Sequence, residues 1–219
     1  MRSGIIAKKV GNAAIDCQNF GADGITIHPR PDERHITKKD VPLLSKIMPN
    51  NIEFNIEGFP SSSFLKMVLK LKPNQVTLVP DAPDVLTSLE GWDIIANKSI
   101  LTSVVKELNN HGIRTSIFIH PSIKMIDAAR EVNADRVELF TGTYAKSEDT
   151  IESYIKCSEL AHGLGLGINA GHDLDMKNLA FFVREMPYLD EVSIGHGLIS
   201  ESLFLGLEKT ISCYKEILS

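Results

Sequence analysis

The chain has 219 residues, 43% of them hydrophobic, with a formal net charge of −5 at pH 7. That is enough for one domain with a sizeable core, and the acidic balance argues against a nucleic-acid surface, which draws affinity from basic patches. No apolar run approaches the roughly 20 residues of a membrane helix.

The start, Met1 to Lys9, carries too little apolar sequence for a signal peptide. Cys17, Cys157 and Cys213 lie far apart with no CxxC pair. They read as reduced core cysteines of a cytosolic protein. Residues 1–11 are expected to be irregular. Gly11 to Phe20 then has helical spacing, with Ala13, Ala14 and Cys17 as an inward stripe and Gly21 as the stop. A first strand, Gly24 to Ile27, follows. The loop after it, His28 to His35, holds two His, two Arg, two Pro, an Asp and a Glu. Thr37 to Asp40 has capping-box-like spacing ahead of a helix with Val41, Leu43, Leu44 and Ile47 turned inward.

Asn51 to Ile56 reads as the second strand, ending in Glu57-Gly58, and Ser61 to Leu71 as a helix stopped by Pro73. Gln75 to Val79 is the third strand. Asp81 to Asp93 is a long irregular stretch with Thr87 and the only Trp, Trp92, and is a candidate lid. A helix over 99–110 ends at His111-Gly112, and Thr115 to Ile119 is the fourth strand. Ser122 to Val132 is a helix and Arg136 to Phe140 the fifth strand. The Thr141–Ser147 loop leads to a helix ending at His162-Gly163. Leu166 to Asn169 is the sixth strand, running into Ala-Gly-His-Asp. A short helix near 179–184, a seventh strand over Glu191–Ile194 and a last helix over 201–218 complete the chain.

Strand and helix alternate throughout, which predicts an α/β fold with a parallel sheet and outer helices. No GxGxxG or Walker sequence supports a nucleotide fold. Polar residues follow nearly every strand, as in a TIM-type (βα)8 barrel that gathers its strand ends onto one face. Seven strands are visible where such a barrel has eight, and the chain is about 30 residues short of the usual length of about 250. The expectation is a single barrel domain over 1–219 whose first strand is missing or displaced.

Several residues have the chemistry for a site. Arg30 and Arg34 are forked donors for phosphate or carboxylate, and His28 can move a proton near neutral pH. Glu57 ends an apolar strand beside Asn55. It is either a general base with a raised pKa or a wet, ion-paired strand end. Glu138 alternates with Val137 and Leu139, so it should point into the barrel, either as a paired structural group or as an electrostatic part of the site. His172 sits among small residues. Gly195-His196-Gly197 precedes the last helix, at a usual phosphate cradle of this architecture. His111 and His162 read as helix C-terminal caps, and His120 is left outside the site.

The runs Gly21–Ile36, Glu53–Gly58, Gln75–Pro80, Asn169–Asp173 and Val192–His196 resemble those of the pyridoxine 5'-phosphate synthase family. The resemblance runs from about Asp16 to the C-terminus. It implies a cytoplasmic transferase of vitamin B6 synthesis. Such an enzyme condenses 3-amino-2-oxopropyl phosphate with 1-deoxy-D-xylulose 5-phosphate to give pyridoxine 5'-phosphate, phosphate and water. It implies no metal or organic cofactor, and a homo-octamer built from dimers. By position, His28 and Glu57 correspond to acid–base residues, His172 to the proton donor, and Glu138 to the transition-state-stabilising glutamate. Arg30, His35 and Thr87 correspond to binders of the deoxyxylulose phosphate. Gly195 and His196 correspond to holders of the aminoketone phosphate, with Asp173 at a backbone contact to it. The family opens with a strand bearing an Asn and a His that this chain lacks. A chain without that strand is expected to be less stable than the family norm, with little or no synthase activity, and a version extended upstream by about 20 residues to recover both.

Two other readings stand beside this one. One is a non-catalytic phosphate-binding barrel. The other is a metal-dependent hydrolase using His28, His35, His172, His196 and Glu57, although these lack the HxH or HExxH spacing of paired ligands.

Overall fold

The computed structural model describes residues 3–81 and 90–219, with side chains from residue 10 onward. Thr87 and most of the candidate lid therefore lie outside the described residues. Seven parallel strands follow one another in the order β1 to β7 and curl into a nearly closed barrel. They are β1 (Gly24–Ile27), β2 (Glu53–Gly58), β3 (Gln75–Leu78), β4 (Arg114–Ile119), β5 (Arg136–Phe140), β6 (Gly167–Gly171) and β7 (Glu191–Ser193). Among the described residues no pairing joins β7 to β1.

The register sorts the sheet into two chemically distinct faces. Ile27, Ile56, Val76 and Thr115 align across four strands, as do Leu78, Ile117, Val137 and Ile168. This outward face packs under the helices and forms the main core. Each of its Val, Leu and Ile side chains taken fully from water contributes roughly 1.5–3 kcal/mol. The alternate rows are polar: Thr26, Asn55, Gln75 and Arg114 in one, Glu138, Asn169 and Glu191 in another. The barrel interior is thus lined by buried Asn55, Gln75, Thr77, Ser116, Glu138 and Asn169 instead of the branched apolar layers usual in this architecture. Inside the mouth Val79, Phe118 and Phe140 form a small apolar cluster.

Helices cover the outside. α1 spans Ser3–Asn19, so residues 3–10, expected to be irregular, are helical and continue the predicted helix. It stops at Gly21, whose φ of +103° only glycine adopts easily. α1 packs against α2 (Asp40–Ile47) on one side and α10 (Leu207–Leu218) on the other. The Thr37–Asp40 turn forms as the spacing predicts, with the Thr37 amide and hydroxyl both donating to Asp40 Oδ2. α3 (Ser62–Leu71) is capped by Ser61, whose hydroxyl accepts from the Phe64 amide at 3.2 Å. The ring of Phe64 rests where a Cβ at Gly58 would lie, 2.3 Å away, so β2 must end in glycine.

α4 (Lys98–Asn110), α5 (Ile123–Glu131), α7 (Ile151–Gly163) and α8 (Leu179–Glu185) fall close to their predicted bounds. His111 caps α4 as expected, its Nδ1 2.9 Å from the Glu107 carbonyl. His162 instead stacks flat on Tyr188, with ring centres 3.7 Å apart. Two elements differ from the sequence reading. The Thr141–Ser147 loop contains a short helix, α6 (Gly142–Lys146), held by the Ala145 amide on the Thr141 carbonyl. The predicted last helix is two: α9 (His196–Leu205) and α10, broken at Gly206 with φ +80°.

Candidate active site

The strands end together, so residues distant in sequence meet at the barrel mouth. Ile27 pairs with Ile56, which places His28 beside Glu57 one residue further along. His28 Nδ1 lies 3.7 Å from Glu57 Oε2, and each side chain is 18% exposed. That distance is too long for a hydrogen bond. The charges also argue against an ion pair. Burial and then the Arg30 guanidinium push the His28 pKa down to about 4, so its imidazole is neutral at pH 7. Burial, then the Asp81 and Glu191 carboxylates, push Glu57 up to about 7. A neutral imidazole beside a carboxyl that ionises near neutrality is a pair suited to passing protons.

Glu138 points inward, as its alternation with Val137 and Leu139 predicts. It is 3% exposed, and burial, then Glu57, raise its pKa well above the usual carboxylate value. Its Oε2 accepts from Thr77 at 3.4 Å, and Thr77 and Asn55 exchange a hydrogen bond behind it. Below it, Glu191 is raised to about 8, chiefly by burial and Glu53.

His172 follows β6 at a left-handed φ of +91°, and Asp173 follows at +56°. Two such residues in succession mark a backbone held against its preference, a condition common at ligand-handling loops. The His172 Nδ1 is 3.2 Å from Asp173 Oδ2, and its ring lies against Phe140 with centres 5.0 Å apart. His120 meets the same phenylalanine from the other side at 5.1 Å, and its Nε2 is 3.2 Å from Glu90. The sequence reading placed His120 outside the site, but it borders the mouth.

Arg30 reaches Asp81 at 2.9 Å in a buried pair, whereas Arg34 pairs with Asp32 on its own loop at 3.0 Å. Asp81 is the residue that sequence reasoning missed. It appeared only as a loop boundary, although it stands just beyond the end of β3, on the same rim of the barrel as Glu57 near the end of β2. His35 is exposed, and among the charged groups that act on His28 it ranks last. Gly195 and His196 are exposed at the start of α9, where no side chain caps the helix amides. Among the described residues no three His, Cys, Asp or Glu side chains converge as metal ligands, the cluster a metal-dependent hydrolase needs.

The family model for the pyridoxal phosphate biosynthesis protein PdxJ matches residues 4–219. The chain belongs to the PdxJ family. A pyridoxine 5'-phosphate synthase of Bacteroides fragilis strain YCH46 is 51% identical over 214 residues, covering 95% of this chain and 90% of the relative. That of Christiangramia forsetii is 52% identical over 211 residues, covering 94% and 88%. Among solved structures, 3-hexulose-6-phosphate synthase superposes with a TM-score of 0.65 at 12% identity, covering 95% of each chain. Phosphoribosyl anthranilate isomerase of Thermus thermophilus gives 0.61 at 11%, covering 95% and 93%. At such identities the structural likeness speaks to the fold alone. The PdxJ assignment rests on the sequence match, which includes every strand end described above.

Proposed function

We propose that the chain is a pyridoxine 5'-phosphate synthase, condensing 3-amino-2-oxopropyl phosphate with 1-deoxy-D-xylulose 5-phosphate. Relatives of that name at half identity support the reaction. The observation that carries the site is Glu57, ionising near neutrality beside a neutral His28. An amine that condenses with a ketone must lose a proton, and the departing hydroxyl must gain one. Glu57 and His28 move protons to and from the substrates at one side of the mouth, and His172 donates from the other. Glu138, holding its proton, stabilises charge that builds on oxygen in the transition state. Arg30, His35 and Thr87 hold the deoxyxylulose phosphate. Gly195 and His196 hold the aminoketone phosphate at the α9 amides, with Asp173 at its backbone contact. The site uses no metal or organic cofactor.

The architecture we propose is the (βα)8 type with the place of its first strand open. It is supported by α1 lying outside, between α2 and α10, and by the edges of β1 and β7, which pair with no further strand among the described residues. Exposed Ile199, Leu203 and Phe204 on α9 support an assembly of several copies, which we take to be an octamer built from dimers. No helix among the described residues is long and apolar enough to cross a membrane. Free Cys17, Cys157 and Cys213 support a cytoplasmic location.

Incubating the purified chain with both substrates should release pyridoxine 5'-phosphate and inorganic phosphate in equal amounts. The open edge between β1 and β7 favours one alternative, a barrel that binds phosphates without turnover. Tight binding of both substrates with neither product would decide for it.

A further inference from the structure

We propose that Asp81 is a positioning residue of this site, holding the Arg30 guanidinium over the barrel mouth and setting a fixed negative charge beside Glu57. This deepens the synthase reading and rests on it for the roles of Arg30 and Glu57. The strand order carries the argument. Arg30 follows β1, Asp81 follows β3, and Glu57 ends β2 between them. The 2.9 Å pair therefore arches across the end of the strand that carries the base.

The arch is built, not incidental. Pro29 and Pro31 flank Arg30, and its amide donates to the His28 carbonyl at 2.9 Å, which fixes the loop. Arg30 and Asp81 side chains are 10% and 6% exposed. Exposed pairs are worth little, but a pair this dry survives only with good geometry and becomes costly to break. A carboxylate that pairs with a guanidinium fixes the plane of its fork, and so the direction from which an anionic group would be met.

The groups that act on Glu57 are His28 and Arg30 from the β1 loop, Asp81 from the end of β3, Glu138 from β5 and Glu191 from β7. After burial, Asp81 contributes most to raising Glu57, and Arg30 opposes it. Asp81 thus does two things with one carboxylate. It orients the cation that meets the substrate, and it keeps that cation from turning Glu57 into a permanently ionised, weaker base.

The test follows the Glu57 carboxyl by carbon-13 NMR in the full chain, the resonance being assigned by its loss in Glu57→Gln. Asp81→Asn should lower the titration midpoint by about one pH unit, the scale of a neighbouring charge. Asp81→Glu, which keeps the charge, should leave it near the wild-type value. Affinity for 1-deoxy-D-xylulose 5-phosphate should fall about tenfold in Asp81→Asn. A purely structural Asp81 would change stability without moving the midpoint. An unchanged midpoint in a folded Asp81→Asn protein overturns the proposal, whatever the affinity does. Asp81→Ser serves the same purpose if the asparagine protein does not fold. Failure of the unaltered chain to make product would count against the synthase reading and leave the titration result standing.

Discussion

Gly171 approaches Glu138 so closely that a Cβ built on it would lie 2.6 Å from the glutamate Oε1. The two residues sit on neighbouring strands, β6 and β5, and the missing side chain of one makes room for the buried carboxyl of the other. Gly171→Ala should therefore push Glu138 off its Thr77 contact and destabilise the fold by about 1–3 kcal/mol, the usual cost of overpacking. Urea unfolding reads this directly, and an unchanged midpoint would show that the carboxyl has room to move.

Glu57→Gln should keep the fold and lower product formation by about two orders of magnitude or more, the scale of a positioned acid–base group. The amide has the shape of the carboxyl but takes no proton. Steady-state assays on protein with native circular dichroism decide it, and a rate within a few-fold of wild type would remove Glu57 from the chemistry.

Glu57 also makes stability depend on pH. Its pKa is raised from the usual 4.5 to about 7 in the fold, so the folded chain holds a proton that the unfolded chain has lost. That contribution is fully present below 4.5 and is lost as the pH rises through about 7. At about 1.4 kcal/mol per unit, the swing is on the order of 3 kcal/mol. Relative to Glu57→Gln, the wild-type chain should become less stable between about pH 5 and about pH 8. Parallel slopes for the two proteins would mean that Glu57 ionises in the fold as freely as in water.

Phosphate should bind where α9 begins. In an amide NMR titration with inorganic phosphate, Gly195, His196 and Gly197 should shift together, since uncapped helix amides favour anions. His196→Ala should weaken the binding about tenfold, the loss of one charge-assisted contact. Shifts confined to the Arg30–Arg34 loop would place the phosphate elsewhere.

The alternation of elements and the gathering of polar strand ends were legible in the sequence, because buried parallel strands and amphipathic helices carry different apolar periods. Glu138's inward direction followed from its neighbours Val137 and Leu139 for the same reason. What sequence could not supply was contact between loops. Asp81 looks like any loop aspartate until β2 is known to lie between it and Arg30. The break at Gly206 was hidden because the apolar spacing on either side reads as one continuous helix, and only a φ of +80° reveals the turn. Residues 3–10 were read as irregular because the charged flanks of Ile5-Ile6-Ala7 interrupt any apolar period in the sequence, although the backbone there is helical.

With His172 in its proposed role, the left-handed pair His172–Asp173 sets stability against catalysis at one spot. A non-glycine residue at such a φ costs of order 1–3 kcal/mol, so glycine at either position would relax the loop. An engineer selecting this protein for heat tolerance alone should therefore recover glycine at Asp173, and with it a looser His172, less well placed for the proton-donor role proposed for it. Selection for turnover would run the other way, and the two campaigns would part company at this dipeptide before they differed anywhere in the core.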